Sequence, residues 1–122
     1  MERILVVDDE IAICNLLRKF LDLKGYEVYT ALDGPAAIAK VKELRPHIVL
    51  LDIMMPGMGG IQVLKEIKKV HPRAGVIMVT GVGDNELGRR ALELGAYDYI
   101  TKPVNFDYLE TVLRVKMIDL LG

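Results

Sequence analysis

The sequence lacks a second cysteine, a long apolar run and an excess of charge of either sign. Because Cys14 stands alone, no internal disulfide can form, as is usual for proteins of the reducing cytoplasm. No apolar stretch approaches the ~18 residues that span a bilayer, and the opening Met1-Glu2-Arg3 is not the start of a signal peptide. The formal net charge of −1 gives no support for binding nucleic acid or membrane through bulk charge. These absences predict a soluble, cytoplasmic protein with no direct nucleic-acid or membrane contacts.

The chain has enough apolar residues for a folded core and is short enough for a single domain. Hydrophobic residues make up 52% of its 122 positions, and charged residues make up 27%. Disordered chains are poorer in apolar residues, and this length is typical of one domain. We therefore expect residues 1–122 to form one domain, without a linker or an internal repeat.

Short apolar runs alternate with amphipathic stretches five times along the chain. The runs cover residues 4–7, 26–31, 48–51, 76–79 and 99–101. Strands that alternate with helices form a parallel sheet covered on both faces, and all-apolar strands agree with burial on both sides. The pattern predicts an α/β fold: a flavodoxin-like three-layer sandwich with five helices and a five-stranded parallel sheet of order 2-1-3-4-5.

The amphipathic stretches carry further local signals. The predicted buried face of the first helix consists of Ile13, Leu16, Leu17, Phe20 and Leu21. Asn105 is a predicted N-cap of the last helix, whereas Gly59 gives the third helix a weak cap. An interior glycine costs about 1 kcal/mol relative to alanine, so Gly88 predicts fraying of the fourth helix.

Polar side chains stand where four of the five predicted strands end. Asp8-Asp9 follow the first strand, Asp52 the third, Thr80 the fourth and Lys102 the fifth. In open α/β sheets, ligands bind beyond the carboxyl ends of the strands, where the strand order reverses. We therefore expect three carboxylates, a hydroxyl and an amine to converge at this edge.

Three clustered carboxylates repel one another unless a cation compensates their charge. Magnesium favours oxygen ligands, keeps several waters and is commonly shared with a phosphate, whereas calcium requires more ligands. Softer metals prefer histidine or cysteine, and Cys14, His47 and His71 lie elsewhere in the pattern. A carboxylate beside magnesium, a lysine and a threonine suits phosphoryl transfer, with the carboxylate as nucleophile.

Four segments of the chain resemble the signatures of response-regulator receiver domains. They are Val6-Val7-Asp8-Asp9-Glu10, Leu51-Asp52-Ile53-Met54-Met55-Pro56-Gly57, Val79-Thr80-Gly81 and Tyr99-Ile100-Thr101-Lys102-Pro103. They follow the family's order and spacing, and the resemblance covers essentially the whole chain. It implies a phosphoacceptor switch of a two-component phosphorelay, which is not a turnover enzyme.

The resemblance also implies a phosphoacceptor and a set of magnesium ligands. Asp52 would accept a phosphoryl group from a histidine kinase or a phosphotransfer protein. Asp9, Asp52 and the backbone carbonyl of Met54 would bind Mg²⁺ directly, and Asp8 would act through water.

On the same basis, Lys102 would pair with the phosphoryl group, and its peptide bond to Pro103 would be cis. Thr80 would swing toward the phosphate, and Tyr99 would turn inward to fill the space that Thr80 vacates. The signal would leave through the fourth helix, the fifth strand and the fifth helix. Its target would be an output domain or a downstream protein, with a homodimer as a further outcome of phosphorylation.

Two further features of the sequence bear on regulation. Apolar Met54 and Val82 flank the expected site, and in this family such positions influence how water reaches the acyl phosphate, so we predict slow self-dephosphorylation. The last helix is more apolar than one core-facing stripe requires. That surplus fits a dimer face, the start of a linker to an output domain, or a slight excess on a monomer.

Three other functions fit parts of the pattern. An aspartyl-phosphate hydrolase typically carries a second aspartate where Met54 stands. A flavodoxin needs a loop rich in hydroxyls and glycine after the first strand, and Asp8-Asp9-Glu10 would repel the flavin phosphate. A degenerate receiver would act only as a protein-docking module, against which the complete set of site residues argues.

Overall fold

The structure is a computed structural model that describes residues 2–81 and 85–121. Within these residues, five strands alternate with five helices, as the apolar runs predict. In chain order the elements are β1 (Arg3–Val7), α1 (Ile11–Leu23), β2 (Glu27–Ala31), α2 (Gly34–Leu44), β3 (Ile48–Asp52), α3 (Gly60–Val70), β4 (Gly75–Thr80), α4 (Asn85–Glu93), β5 (Asp98–Thr101) and α5 (Phe106–Leu121).

The five strands form one parallel sheet, and their order, β2-β1-β3-β4-β5, confirms the prediction. β1 pairs with both β2 and β3, so the strand order reverses at β1. Val7 lies opposite Leu51, and Asp52 lies opposite Val79. The carboxyl ends of β1, β3 and β4 therefore finish side by side.

Successive residues of a strand point to opposite faces of the sheet, and each face packs against its own helices. On one face, Leu5 and Val7 share a core with side chains of α2, α3 and α4. On the other face, Ile4 and Val6 pack with side chains of α1 and α5. Burying each such side chain contributes about 1.5–3 kcal/mol, so the all-apolar strands specify three layers.

The buried face of α1 departs from the predicted one at Leu16 and by including Cys14. Ile13 and Phe20 are partly buried against the core, as predicted. Cys14, Leu17 and Leu21 are buried, whereas Leu16 is 53% exposed. The three buried positions are spaced three and four residues apart, which places them on one helical stripe. Leucine is more apolar than cysteine, but helix geometry turns Leu16 toward solvent.

The helix ends follow the chemistry of their caps. Asp33 Oδ1 accepts a hydrogen bond from the Ala36 N–H at 2.8 Å, at the start of α2. Asn105 Oδ1 accepts from the Tyr108 N–H at 3.0 Å, which confirms the predicted cap of α5. Gly59 precedes α3 without a side-chain cap, also as predicted.

The last helix exposes part of its apolar surface. Val115, Ile118 and Leu121 are exposed, while the opposite side of α5 packs on the sheet. This agrees with the predicted apolar surplus. None of the helices in the described part of the chain combines the length and apolar character needed to cross a bilayer.

Candidate functional site

Four strand ends bring polar side chains to one edge of the sheet, which we call the carboxyl edge. Asp8 directly follows β1, Asp52 is the last residue of β3, and Thr80 is the last residue of β4. Lys102 directly follows β5, and its backbone N–H donates to the Thr80 carbonyl at 2.7 Å. Because parallel strands end at the same edge, side chains that are distant in sequence become neighbours here.

Asp8, Asp9 and Asp52 form a compact carboxylate cluster. One oxygen of each lies within 4.8 Å of the other two. Asp8 and Asp52 are only 2% and 4% exposed, whereas Asp9 faces solvent. The Glu10 N–H donates to Asp8 Oδ1 at 2.9 Å, and the Met54 N–H donates to Asp52 Oδ1 at 3.3 Å. The carboxylate oxygens are close enough to share one hard divalent cation.

Lys102 places a positive charge against the two buried carboxylates. Its Nζ lies 3.4 Å from Asp8 Oδ2 and 3.6 Å from Asp52 Oδ2. Burial acts to lower the pKa of Lys102, but the carboxylates of Asp52 and Asp8 outweigh burial and raise it, so the ammonium stays charged. The peptide bond between Lys102 and Pro103 is cis.

Asp52 ionises with difficulty in this environment. Burial and the negative charge of Asp8 raise the pKa of Asp52 from 3.8 to about 6, although Lys102 and the Met54 N–H act to lower it. One ammonium does not neutralise three carboxylates, so the cluster keeps an excess of negative charge. A bound cation would relieve that excess.

The hydroxyl of Thr80 is buried in the site, with no hydrogen-bond partner in the described part of the chain. Thr80 is 0% exposed, and its Oγ1 makes no hydrogen bond to any described residue. An unpaired buried polar group costs about 1–3 kcal/mol, which folding alone does not explain. A hydroxyl of this kind indicates a donor whose acceptor arrives with a ligand or a modification.

Gly60 fixes the loop that follows β3, a role that the weak-cap interpretation of α3 misses. A Cβ at Gly60 would lie 2.5 Å from the Asp52 carbonyl oxygen and 2.6 Å from Ile53 Cα. The Gly60 N–H also donates to the Ile53 carbonyl at 3.0 Å. Helix α3 therefore begins against the backbone of the Asp52 strand end, at a distance that only glycine permits. A glycine in the first turn of a helix is the sequence signal for such an approach.

Tyr99 packs against α4 because Gly88 has no side chain. A Cβ at Gly88 would lie 2.8 Å from the Tyr99 ring. Gly88 is buried, and Tyr99 is half-buried. Helix propensity alone predicts that Gly88 weakens α4, but the structure makes it the contact between α4 and β5. This contact joins the helix that follows Thr80 to the strand that leads to Lys102.

One of the two apolar positions expected to flank the site is described. Met54, two residues after Asp52, is 60% exposed at the rim. Val82 lies outside the described residues, so its position relative to the carboxylates stays a prediction.

Two solved receiver structures resemble this chain over nearly all of its length. The receiver domain of NtrX from Brucella abortus is 41% identical, with a TM-score of 0.89 over 93% of this chain and 96% of that one. A response regulator receiver domain protein from Clostridium thermocellum is 32% identical, with a TM-score of 0.93 over 100% of both chains.

A longer relative shows this fold within a larger protein. An NtrX chain from Brucella abortus is 39% identical, with a TM-score of 0.92, and the match covers 98% of this chain but 28% of that one. The sequence profile of the response regulator receiver domain matches residues 4–114. The chain therefore belongs to the receiver-domain family of two-component response regulators.

Proposed function

We propose that residues 1–122 form one receiver domain that acts as a phosphoacceptor switch in a two-component phosphorelay. Asp52 is the phosphoacceptor, and a histidine kinase or a phosphotransfer protein is the donor. The observation that carries this proposal is the buried Asp52 carboxylate, 3.6 Å from the Lys102 ammonium. A nucleophile held beside a fixed positive charge in a largely buried site suits phosphoryl transfer.

The carboxylate cluster supports a magnesium site. Asp9, Asp52 and the Met54 backbone carbonyl would hold the ion directly, and Asp8 would hold it through water. The donor set fits, because three carboxylate oxygens lie within 4.8 Å of one another and magnesium prefers oxygen ligands. When bound, magnesium supplies positive charge that offsets the carboxylates and the phosphoryl oxygens.

In the transfer, an Asp52 carboxylate oxygen attacks the phosphorus of a phosphohistidine on the donor protein. A phosphorus–oxygen bond forms, the phosphorus–nitrogen bond breaks, and the histidine leaves as an imidazole that takes up a proton. Lys102 Nζ stabilises negative charge on the phosphoryl oxygens as they move. The product is an aspartyl phosphate. The domain assists its own phosphorylation and dephosphorylation but is not a turnover enzyme.

Thr80 and Tyr99 would convert the aspartyl phosphate into a change at the surface formed by α4, β5 and α5. The phosphoryl oxygens offer an acceptor to Thr80 Oγ1, which has no partner among the described residues. As Thr80 moves toward the phosphate, Tyr99 turns into the vacated space, and α4 responds because the Tyr99 ring rests on Gly88.

The altered α4-β5-α5 surface would then control an output domain or a downstream protein, or pair with a second copy of the chain. The NtrX chain of which this chain covers 28% supports a fused output domain as one arrangement. A comparison of backbone amide spectra before and after phosphorylation tests the switch. Unchanged signals from residues 81–110 would contradict it.

The phosphorylated state should be long-lived. Met54 is apolar and lies at the rim of the site, so it limits the approach of water to the acyl phosphate. A phosphoprotein half-life of only seconds would contradict this expectation.

Intact-mass measurement after incubation with acetyl phosphate and Mg²⁺ tests the proposed function. The parent chain should gain one phosphoryl group, and chelation of the metal with EDTA should abolish the gain. Asp52→Asn should gain none, whereas Asp33→Asn, at an exposed helix cap, should behave as the parent does. Absence of uptake by the parent, also with a phosphorylated histidine donor, would favour the docking-only alternative.

A further inference from the structure

A cavity of about 360 Å³ lies at the opposite edge of the sheet from Asp52, and we call it the basic cavity. Its charged and polar lining residues are Arg3, Arg45, His47, His71 and Arg73. Of the described residues that line it, none is acidic, although the chain as a whole has a formal net charge of −1. The concentration of basic groups is therefore local.

The fold gathers these side chains from separate parts of the chain. Arg3 begins β1, and His47, just before β3, donates its backbone N–H to the Arg3 carbonyl at 2.9 Å. Arg45 caps the C-terminus of α2, His71 caps that of α3, and Arg73 lies in the loop before β4. The amino ends of three strands and the carboxyl ends of two helices therefore meet at the basic cavity.

Helix capping explains part of this charge, because the last carbonyls of a helix attract cationic donors. Arg3 donates from Nε to the Leu44 carbonyl at 2.9 Å and from Nη2 to the Arg45 carbonyl at 3.0 Å. Arg45 donates from Nη1 to the Val70 carbonyl at 2.9 Å. These bonds account for Arg3 and for part of Arg45 as elements of the fold.

Other polar groups of the cavity take no part in helix capping. A guanidinium has five N–H donors, so Arg45 keeps several beyond its bond to Val70. Arg73 is exposed, and no described residue accepts a hydrogen bond from its guanidinium. His71 Nε2 donates to the Pro46 carbonyl at 3.0 Å, while its buried Nδ1 has no partner among the described residues. The exposed guanidinium donors of Arg45 and Arg73 are therefore available to a ligand. Because Nε2 of His71 carries the proton, Nδ1 of the neutral ring is an acceptor.

Positive charge acts on both histidines of the cavity. Burial lowers the pKa of His71, and the charges of Arg45 and Lys68 lower it further. Burial and the charge of Arg3 likewise lower the pKa of His47. Burial is the larger cause for both imidazoles, and the charge of Glu2 acts to raise the pKa of His47. An anion in the cavity would offset the contribution of the positive charges.

We propose that the basic cavity binds a phosphate group, either as the free ion or as a small phosphate monoester. Phosphate offers several acceptor oxygens and nearly two negative charges, which suit the guanidinium donors of Arg45 and Arg73 better than one carboxylate does. At about 360 Å³ the cavity is large enough for a phosphate with a small attached group, and Leu120 and Leu121 would form an apolar wall for that group. The site is separate from Asp52, so it does not depend on the proposed function.

An NMR titration with inorganic phosphate tests the site on the full chain. His47 and His71 are the only histidines of the sequence, so both imidazole Cε1–H signals arise at the cavity. EDTA is present to prevent metal-mediated binding of phosphate at the carboxylate cluster, and chloride keeps the ionic strength constant. We expect both signals to shift and saturate with phosphate, and acetate to bind at least about tenfold more weakly.

Matched variants distinguish phosphate binding in the cavity from nonspecific attraction of phosphate to positive charge. Arg73→Gln should weaken phosphate binding about tenfold, whereas Arg18→Gln, at an exposed position of α1, should leave it unchanged. Glycerol 3-phosphate identifies the source: tighter binding with shifts at the Leu120 and Leu121 methyls indicates a monoester, and equal binding indicates the free ion. Shifts that do not saturate, an equal response to acetate, or parent-like binding by Arg73→Gln would overturn the site.

Discussion

Charged side chains have opposite effects on stability at the two edges of the sheet. At the carboxyl edge, Asp8 and Asp52 are buried side by side, and burial together with Asp8 raises the pKa of Asp52 to about 6. At the other edge, Arg3 and Arg45 donate to backbone carbonyls that the ends of α2 and α3 leave open. The carboxyl edge thus concentrates charge at the expense of stability, whereas the arginines stabilise the fold.

This difference gives a way to separate charges that serve folding from charges that serve function. Removing a charge that satisfies the backbone should destabilise the protein, because its partners lose their donor. Removing a charge from a repulsive cluster should stabilise it, because the remaining groups lose a like-charged neighbour. A cluster of the second kind persists only if function requires it.

The largest effect is expected where the backbone itself holds the carboxyl edge in place. Gly60→Ala should lower the free energy of unfolding by about 3 kcal/mol or more, since the new Cβ would meet the Asp52 carbonyl oxygen at 2.5 Å. Gly59→Ala is the matched control, because its Cβ would have 4.0 Å to the nearest backbone atom, and it should change stability little. Chemical denaturation measures both, and equal effects would show that the close approach at Gly60 is relaxed.

The next largest effect should be an increase in stability, when the charge of Asp52 is removed. The pKa of Asp52 is raised on folding, so the folded state holds its proton more tightly, and stability falls as pH rises from about 4 to about 6. In EDTA at pH 8, Asp52→Asn should therefore be more stable than the parent by about 3 kcal/mol. The difference should vanish below about pH 3, where the Asp52 carboxyl is neutral in both the folded and the unfolded chain. A less stable Asp52→Asn at pH 8 would remove the contrast between the two edges.

Removing the charge of Arg3, which lines the basic cavity, should destabilise the protein. Arg3→Gln should lower the free energy of unfolding by about 1–2 kcal/mol, because the carbonyls of Leu44 and Arg45 lose their donors. Arg18→Gln is the control, since the one contact of its guanidinium with the described residues is an exposed ion pair with Asp22 at 3.9 Å. Its effect should stay within about 0.5 kcal/mol. Thermal or urea unfolding distinguishes the two, and equal values would mean that Arg3 is not a structural cap.

Gly88→Ala should have the smallest effect on stability, but it should alter the surroundings of Tyr99, a residue of the proposed switch. Gly88→Ala gains about 1 kcal/mol of helix propensity but must displace the Tyr99 ring, which lies 2.8 Å from the new Cβ. The two effects oppose each other, so stability should change by less than about 1 kcal/mol. The aromatic NMR signals of Tyr99 should shift, and an unaltered ring environment would show that Gly88 does not position it.

Much of the fold follows from local patterns, because each apolar run is the length of one strand and is bounded by polar or glycine residues. Packing details depend on neighbours that the pattern does not identify. Cys14 is buried in place of Leu16 because the sheet selects a stripe by geometry, not by residue hydrophobicity. Gly60 and Gly88 look like weak helix positions until the backbone of Asp52 and the ring of Tyr99 are placed against them.

The sequence predicts which side chains converge at the carboxyl edge, but not how deeply each of them is buried. The ends of parallel strands must meet, so the positions of Asp8, Asp52 and Lys102 follow from topology. The burial of Asp8 beside exposed Asp9 depends on how the chain leaves β1. The arginines of the basic cavity give no motif, because they come from strand and helix ends that only the fold brings together.

Reductive mapping of the phosphorylated chain tests the central claim most directly. Borohydride reduces an aspartyl phosphate to homoserine, so peptide mass spectrometry after treatment with acetyl phosphate and Mg²⁺ identifies the acceptor residue. We predict homoserine at position 52 alone, with Asp8 and Asp9 unmodified and with no conversion in EDTA. Homoserine at position 8 or 9, or phosphate retained on His47 or His71, would contradict the assignment of Asp52 as the phosphoacceptor.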